Sequence, residues 1–263
     1  MNAIDLSQYD AYLFDLDGTI YVGSKLLPGV KEAISLLTQR DKRVMMVTNT
    51  SVYTRIDCRE RLRSMGIELS VDQVVTAAYM AGLYFQEYYP DAVVYIIGEE
   101  ALAKEIVGLG IRTTEEPFKA THLLVGMDRS FDYNKLHLGM RAVQNGARLV
   151  ATNPDPYCPV IEDVIPDTWG IAKAIEAAAA SRIDAVTGKP EMFYVKKLLE
   201  LLNVPAQRCL MIGDRLETDI LLGINGGMGT ALVLTGVTGK DDLLGSDIKP
   251  DYVFADLKQM FAV

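Results

Sequence analysis

Residues 12–19 read Tyr-Leu-Phe-Asp-Leu-Asp-Gly-Thr, a short apolar run that ends in two aspartates. Consecutive apolar residues indicate a buried strand, because a strand covered on both faces has no polar alternation. Asp15 and Asp17 follow where that strand ends. Their spacing of two places both side chains on the same side of a continuing strand. The stretch therefore predicts a strand that delivers two carboxylates to one place.

Three later stretches repeat this arrangement of a short apolar run followed by polar residues. They are Val47-Thr48-Asn49, Gly188-Lys189-Pro190, and Gly213-Asp214 with Asp219 shortly after it. In open α/β sheets, ligands bind just beyond the carboxyl ends of the strands. We therefore expect the polar side chains of all four stretches to form one site.

Helix-like segments separate the strand-like runs almost throughout the chain. The spacing of apolar residues predicts helices over 28–40, 54–65, 99–109, 133–145, 169–180, 191–202 and 217–224. It predicts further strands over 44–47, 93–97, 123–125, 148–151, 209–212, 231–234 and 252–254. Strands separated by helices indicate an α/β fold with a mostly parallel sheet. The basic residues of segment 54–65, namely Arg55, Arg59, Arg61 and Arg63, are interpreted as a solvated helix face.

The polar residues at the strand ends suit phosphate chemistry. Asp15 and Asp17 side by side repel each other unless one is protonated or a cation lies between them. Asp214 adds a third carboxylate, and oxygen ligands with open positions suit Mg²⁺. Asp15 is then placed to attack phosphorus, and Asp17 to protonate the leaving alcohol and later to activate water. Lys189 supplies a fixed cation, and Thr48 a hydroxyl near a helix start.

The composition excludes several classes of protein. The chain has 263 residues, of which 49% are hydrophobic, and its net charge is −9. Such a chain is expected to fold, and it is a poor candidate for binding nucleic acid or anionic membranes. We find no signal peptide pattern and no apolar run near the ~20 residues that span a bilayer. The three separate cysteines support neither disulfides nor zinc, so we expect a cytoplasmic protein with reduced thiols.

The four stretches together resemble the haloacid dehalogenase (HAD) superfamily of aspartate-nucleophile phosphatases, and within it the NagD-like branch. The resemblance rests on 15–21 (Asp-Leu-Asp-Gly-Thr-Ile-Tyr), 47–51 (Val-Thr-Asn-Thr-Ser), 188–190 (Gly-Lys-Pro) and 213–220 (Gly-Asp-Arg-Leu-Glu-Thr-Asp-Ile). Residues 151–155 (Ala-Thr-Asn-Pro-Asp) are also typical of that branch, whereas Thr50 stands where the branch commonly has a second asparagine. The resemblance implies a Rossmann-like core, 1–83 with 181–263, and an inserted α/β cap, 84–180.

The resemblance also implies a role for each residue of the site. Asp15 is the nucleophile and a Mg²⁺ ligand, and Asp17 is the general acid/base and binds the metal through its main-chain carbonyl. Asp214 is a further Mg²⁺ ligand, and Asp219 steadies the outer shell of the metal or Lys189. Thr48, Asn49 and Lys189 contact the phosphate. The residues expected beside the substrate are Arg215, Leu216, Glu217 and Thr218.

The predicted function is a Mg²⁺-dependent phosphatase of small phosphorylated metabolites. Sugar phosphates, acid-sugar phosphates, nucleoside monophosphates and 4-nitrophenyl phosphate are the substrates that the resemblance implies. A phosphomutase with the same chemistry and a phospho-acceptor signalling module remain alternatives, and a homo-oligomer remains open. Residues 155–170, rich in Pro and Gly, are predicted to set substrate choice. The cap segment carries a net charge of −6, which is expected to disfavour polyanions.

Overall fold

The computed structural model describes residues 3–160 and 163–263. Within these residues strands and helices alternate along the chain. The strands are β1 (Ala11–Phe14), β2 (Tyr21–Val22), β3 (Lys25–Leu26), β4 (Arg43–Thr48), β5 (Val74–Thr76), β6 (Val93–Ile97), β7 (Arg112–Thr113), β8 (His122–Val125), β9 (Arg148–Ala151), β10 (Tyr157–Val160), β11 (Asp163–Pro166), β12 (Ala185–Val186), β13 (Cys209–Gly213), β14 (Gly229–Val233) and β15 (Tyr252–Phe254).

Several helices begin where the sequence supplies a capping side chain. Thr54 and Asp57 form a reciprocal capping box, and Asp132 accepts a hydrogen bond from the backbone N–H of Lys135. The helices are α1 (Val30–Gln39), α2 (Arg55–Ser64), α3 (Ala77–Tyr88), α4 (Glu100–Gly108), α5 (Tyr133–Gln144), α6 (Thr168–Ala179), α7 (Met192–Leu202), α8 (Leu221–Gly226), α9 (Lys240–Gly245) and α10 (Leu257–Phe261).

The core sheet is parallel and has the strand order β15-β14-β13-β1-β4-β5. All of β1 is fully buried, which explains its unbroken apolar run. Tyr12 and Phe14 pack on one side of the sheet, against residues of α1, α2 and α10. Ala11 and Leu13 pack on the other side, against α3, α7 and α8. The sheet is therefore covered by helices on both faces, and the predicted α/β fold class is confirmed.

A second parallel sheet has the order β12-β9-β8-β6-β7, and we call it the cap sheet. The domain division predicted above, 1–83 with 181–263 and 84–180, stays a prediction, and the strand pairing departs from it at one point. β12 lies beyond residue 180, yet Ala185 and Val186 pair with Val150 and Ala151 of the cap sheet. A strand of two residues has no periodicity, so its sheet was not predictable from sequence.

Further segments differ from the sequence interpretation, among them helix α3 (Ala77–Tyr88), for which no helix was predicted. The predicted loop 155–170 contains an antiparallel hairpin, β10 with β11, and residues 161–162 lie outside the described part. The predicted helix 217–224 begins with a wider turn, Leu216–Ile220, in which the Ile220 N–H bonds to the Arg215 carbonyl five residues back. No helix in the described ranges has both the length and the apolarity that a membrane crossing requires.

Candidate active site

The carboxyl ends of three core strands meet at one edge of the sheet. Asp15 directly follows β1, Thr48 is the last residue of β4, and Asp214 directly follows β13. Lys189 reaches the same place from the segment after β12. These residues line one cavity of about 520 Å³, together with Asp17, Asn49, Arg215, Thr218 and Asp219. Parallel pairing is what brings them together, because it places every carboxyl end at the same edge.

The turn after β1 sets the two aspartates against the third carboxylate. Gly18 has a φ of +90°, in the left-handed region that favours glycine. A Cβ at Gly18 would lie 2.6 Å from Oδ2 of Asp214, so only glycine permits this approach. Asp15 is buried, whereas Asp17 is half-buried and faces the cavity. The first carboxylate is thus fixed in position, and the second is open to a bound molecule.

Lys189 is held by three acceptors at the bottom of the cavity. Its Nζ donates to Oδ1 of Asp15 and to Oδ1 of Asp219, both at 2.6 Å, and to the Val47 carbonyl at 2.9 Å. Burial alone would lower the pKa of the Lys189 ammonium, but the two aspartates raise it well above its usual value. The lysine is therefore a permanent cation, and a direct bond to phosphate would replace one of its present bonds.

Three buried carboxylates lie close together, and the positive charge beside them is smaller than their total negative charge. One oxygen from each of Asp15, Asp214 and Asp219 lies within 4.8 Å of the other two. Burial and the neighbouring aspartates raise the pKa of Asp15, against the opposing charge of Lys189, and raise the pKa of Asp214 to about 7. A further cation among them would relieve both effects, and an all-oxygen set of this kind fits Mg²⁺.

The side chains of Thr48 and Asn49 differ in which hydrogen-bonding groups they leave free for a ligand. Thr48 Oγ1 accepts a hydrogen bond from the backbone N–H of Thr50, so its hydroxyl hydrogen remains for a phosphate oxygen. The Asn49 amide donates to Asp155 and to the Lys189 carbonyl, and its oxygen accepts from the Lys189 N–H. A phosphate contact from Asn49 would consequently come from its backbone N–H.

Asp155 links the loop after β9 to two stretches of the core. Its Oδ2 accepts from Asn49 at 2.8 Å, and its Oδ1 pairs with Arg215 at 2.7 Å. Arg215 also donates to the Tyr157 carbonyl, and the Asn153 amide donates to the Asn49 carbonyl. Asp155 belongs to the motif 151–155, but its contact with Asn49 has no sequence signal, because residues 106 positions apart are paired only by the fold.

One wall of the cavity, which we call the cap wall, is largely apolar and contains one further buried carboxylate. Residues from the hairpin and from nearby loops form this wall, namely Val52, Tyr53, Met127, Tyr157, Cys158, Pro159, Val160 and Ile165. Asp167 caps α6 by accepting bonds from the N–H and hydroxyl of Thr168. Burial raises the pKa of Asp167 to about 6, even against those hydrogen bonds. Apart from Asp167 and the thiol of Cys158, the wall therefore offers shape rather than reactive groups.

The interpretation of helix 54–65 as a solvated face is wrong for two of its arginines. Arg55 pairs with the half-buried Glu105 of α4, and Arg61 lines the cavity. Among the residues that the structure describes, Arg59 and Arg63 pair with nearby glutamates, Glu60 and Glu68. Four arginines on a short helix have the same periodicity whether they face water or a neighbouring domain. The sequence consequently held no signal for Arg61, or for Arg129, which also lines the cavity.

The residues predicted to lie beside the substrate divide into two groups. Arg215 and Thr218 line the cavity. Leu216 is fully buried against Ile220 and Leu232, and Glu217 is exposed on the neighbouring cleft. The wide turn over Leu216–Ile220 separates them, because consecutive residues of a helical turn point in different directions.

Comparison with known proteins places this geometry in context. The sequence-family model of the haloacid dehalogenase-like hydrolases matches residues 12–112, and the HAD-hydrolase-like family model matches residues 186–260. The acid sugar phosphatase of Staphylococcus epidermidis is 34% identical over 259 residues, which cover 98% of each chain.

Solved structures share the same fold. The 4-nitrophenylphosphatase of Thermotoga maritima is 32% identical, has a TM-score of 0.92 and is covered to 98% in both chains. NagD of Escherichia coli is 24% identical with a TM-score of 0.87, over 97% of this chain and 100% of NagD, which shows a shared fold.

Proposed function

The chain belongs to the haloacid dehalogenase-like hydrolases, and we propose that it hydrolyses small phosphomonoesters through a phosphorylated Asp15, with Mg²⁺ bound. It is a NagD-like hydrolase of phosphoric monoester bonds. The observation that carries the proposed mechanism is the position of Asp15. Its carboxylate is buried against Lys189 at the bottom of a cavity that also presents Asp17.

The proposed first half-reaction transfers the phosphoryl group to Asp15. A carboxylate oxygen of Asp15 attacks phosphorus, and the bond from phosphorus to the leaving oxygen breaks. Asp17 donates its proton to that oxygen, so a neutral alcohol departs. Burial raises the pKa of Asp17, against the charges of Arg61 and Lys189, and this rise favours the protonated form that the step needs.

The second half-reaction returns Asp15 to its starting state. Asp17, now a carboxylate, takes a proton from a water molecule as the water oxygen attacks phosphorus. The bond between phosphorus and the Asp15 oxygen breaks, and inorganic phosphate leaves. We assign Thr48 to donate its hydroxyl hydrogen to a phosphate oxygen, since its Oγ1 already accepts from the Thr50 N–H, and we assign the backbone N–H of Asn49 to the same phosphate. Lys189 holds Asp15 in position throughout.

The proposed Mg²⁺ ligands are the carboxylates of Asp15 and Asp214 and the main-chain carbonyl of Asp17. A bound Mg²⁺ would neutralise part of the negative charge that accumulates around the phosphate. Asp219 lies within the same cluster, but it bonds to Lys189 and accepts from the Arg215 N–H. We therefore assign Asp219 to positioning Lys189 rather than to binding the metal directly.

The proposed substrates are small phosphorylated metabolites. A cavity of about 520 Å³ accommodates a leaving group of sugar size, and the apolar cap wall also accepts an aromatic ring. Relatives are named for acid sugar phosphates and for 4-nitrophenyl phosphate, which supports both kinds of leaving group. The net charge of −9 argues against nucleic acid as a substrate.

Phosphate release from 4-nitrophenyl phosphate, with EDTA or with added Mg²⁺, tests the proposal. We expect turnover that needs Mg²⁺ and that falls by at least about 10³-fold in Asp15→Asn. Asp91→Asn, at a fully exposed cap residue, is the matched control and should resemble the wild type. Release that survives Asp15→Asn would contradict the nucleophile, and activity indifferent to EDTA would contradict the metal.

The same assay separates the alternatives. A phosphomutase would return the phosphoryl group to an alcohol, so labelled phosphate would appear in an organic product. A phospho-acceptor module would retain the label on the protein without continued release. Steady release of inorganic phosphate over many turnovers would exclude both.

A further inference from the structure

Four basic side chains line the catalytic cavity, and three of them are paired with carboxylates. Lys189 pairs with Asp15 and Asp219. Arg215 pairs with Asp155, and Arg129 binds both carboxylate oxygens of Glu99, at 2.6 and 2.7 Å. Their charges are thus largely balanced by the protein itself, and they contribute little net attraction to an anion.

Arg61 is the fourth of these side chains, and its charge is not balanced in the same way. In the described part of the chain, no carboxylate pairs with its guanidinium, which donates to the Gly23 carbonyl instead. The guanidinium carbon lies 4.1 Å from the ring centroid of Tyr21 and 5.4 Å from that of Tyr53. Two aromatic faces and one carbonyl hold the arginine in place, so it would lose little conformational freedom on binding an anion.

Arg61 lies on the side of the cavity that must receive the leaving group. Asp17 is the proposed acid that protonates the leaving oxygen, so the rest of the alcohol extends past Asp17. Arg61 stacks on the ring of Tyr21, and Tyr21 forms a β-bridge with Asp17, so the guanidinium lies close to that aspartate. Tyr53, which stacks on Arg61, lines the same cavity and leads towards its apolar wall.

We propose that Arg61 binds a carboxylate on the alcohol part of the substrate, so that the enzyme prefers phosphomonoesters of hydroxy acids. The inference rests on the proposed phosphatase function and narrows its substrate class. A guanidinium presents parallel N–H groups that match the two oxygens of a carboxylate. An arginine that pairs with no carboxylate of the described residues matches a single negative charge, which favours a carboxylate over a second, doubly charged phosphate.

Paired substrates that differ only in the carboxylate provide the test. One pair is 3-phosphoglycerate with glycerol 3-phosphate, and the other is 6-phosphogluconate with glucitol 6-phosphate. In each pair the acid replaces a CH₂OH group by COO⁻. The measured quantity is the ratio of kcat/KM for the acid to kcat/KM for the alcohol. Effects on the chemical step common to both substrates cancel in this ratio.

We expect the wild type to prefer the acid in at least one pair, by about 10- to 100-fold, chiefly through KM. Arg61→Gln should bring that ratio close to one, and Arg61→Lys should retain part of it. Arg63→Gln is the matched control, because it removes the same charge from an exposed residue of the same helix outside the cavity. Its ratio should equal that of the wild type.

The outcomes distinguish this inference from the proposed function. A wild-type ratio near one in both pairs would overturn the role of Arg61, as would a wild-type preference that Arg61→Gln leaves unchanged. Either result would leave phosphatase activity intact. Failure of the wild type to release phosphate from any of the four esters, or from 4-nitrophenyl phosphate, would instead contradict the proposed function. Turnover of 4-nitrophenyl phosphate by each variant reports that it is folded.

Discussion

The bottom of the cavity and the β10–β11 hairpin are stabilised in opposite ways. We call the bottom, formed by Asp15, Lys189, Asp214 and Asp219, the floor. On the floor, Lys189 and Asp219 have side chains that are 2% exposed, and each lysine hydrogen has an acceptor. The hairpin has two strands, and Val164 on it is 52% exposed. A two-stranded hairpin is only marginally stable by itself, whereas buried charges tolerate no loss of a partner.

This difference indicates which parts of the molecule tolerate amino-acid substitution. Chemistry depends on the positions of the floor residues to within a fraction of an ångström, and burial among fixed partners enforces those positions. Recognition of the leaving group depends on the wall, and a wall of half-exposed side chains tolerates exchange. The following predictions test this contrast, beginning with the largest expected effect.

Removing the cation of the floor should have the largest effect. Lys189→Met leaves Asp15 and Asp219 buried without a cationic partner, so we expect a loss of about 3–5 kcal/mol in the free energy of unfolding. Turnover of 4-nitrophenyl phosphate should fall by at least about 10²-fold. Denaturant titration without added metal and steady-state kinetics check both.

The control for Lys189 is a lysine pair at the surface. Lys196→Met breaks the bond to Glu87 with a lysine side chain that is 53% exposed, and it should leave the free energy of unfolding almost unchanged. The contrast between floor and surface would fail if the two substitutions destabilised the protein equally.

Asp155 joins the floor to the cap, and its removal should have an intermediate effect. Asp155→Asn keeps the shape but removes the charge that holds Arg215, so we expect kcat/KM to fall by about tenfold and stability by about 1–3 kcal/mol. Asp163→Asn, on the exposed side of the hairpin, is the control and should change neither. Wild-type kinetics in Asp155→Asn would show that this link does not position the site.

Exchanging the residues of the cap wall should change which substrates are preferred but not the rate of the chemical step. Replacing residues 155–170, except Asp155 and Asp167, by those of a relative should shift the kcat/KM ratio of two substrates by about tenfold. The groups that break the phosphorus bond lie elsewhere, so kcat for 4-nitrophenyl phosphate should remain within a few-fold. A panel of phosphorylated metabolites gives the profile, and an unchanged profile would contradict this role.

The smallest expected effect is a pH dependence of stability from Asp167. Its pKa is about 6 in the folded chain, against 3.8 for the unfolded reference, so the native state binds more protons between these values. Stability from this group therefore rises as pH falls from 7 towards 4, and charged Asp167 is a cost at higher pH.

Asp167→Asn removes this cost and retains the helix cap. We expect the variant to be more stable than the wild type by about 1 kcal/mol at pH 8, with the difference shrinking towards pH 4. Denaturant titrations across this range measure it. A difference that stays constant with pH would show that Asp167 does not titrate as described.

Sequence reasoning succeeded where one short segment carries its own signal. The apolar run before Asp15 predicts a buried strand, and parallel pairing then places Asp15 beside Asp214 although 199 positions separate them. Prediction from sequence failed where the position of a segment or side chain depends on what packs against it. The two residues of β12 read the same in either sheet, and Arg61 on its helix reads the same in water or in a cavity.

The sequence by itself determined the alternation of strands and helices where apolar periodicity is strong, the four polar stretches and the family that they resemble, because these depend on local apolar periodicity and motif spacing. Only the tertiary structure decided that all three hydrogens of Lys189 are bound, that Asp155 joins Arg215 and Asn49, and that Arg61 pairs with no carboxylate among the residues described. Pairing of charges is a property of distances between side chains far apart in the chain. No local pattern encodes those distances, and the packed fold alone sets them.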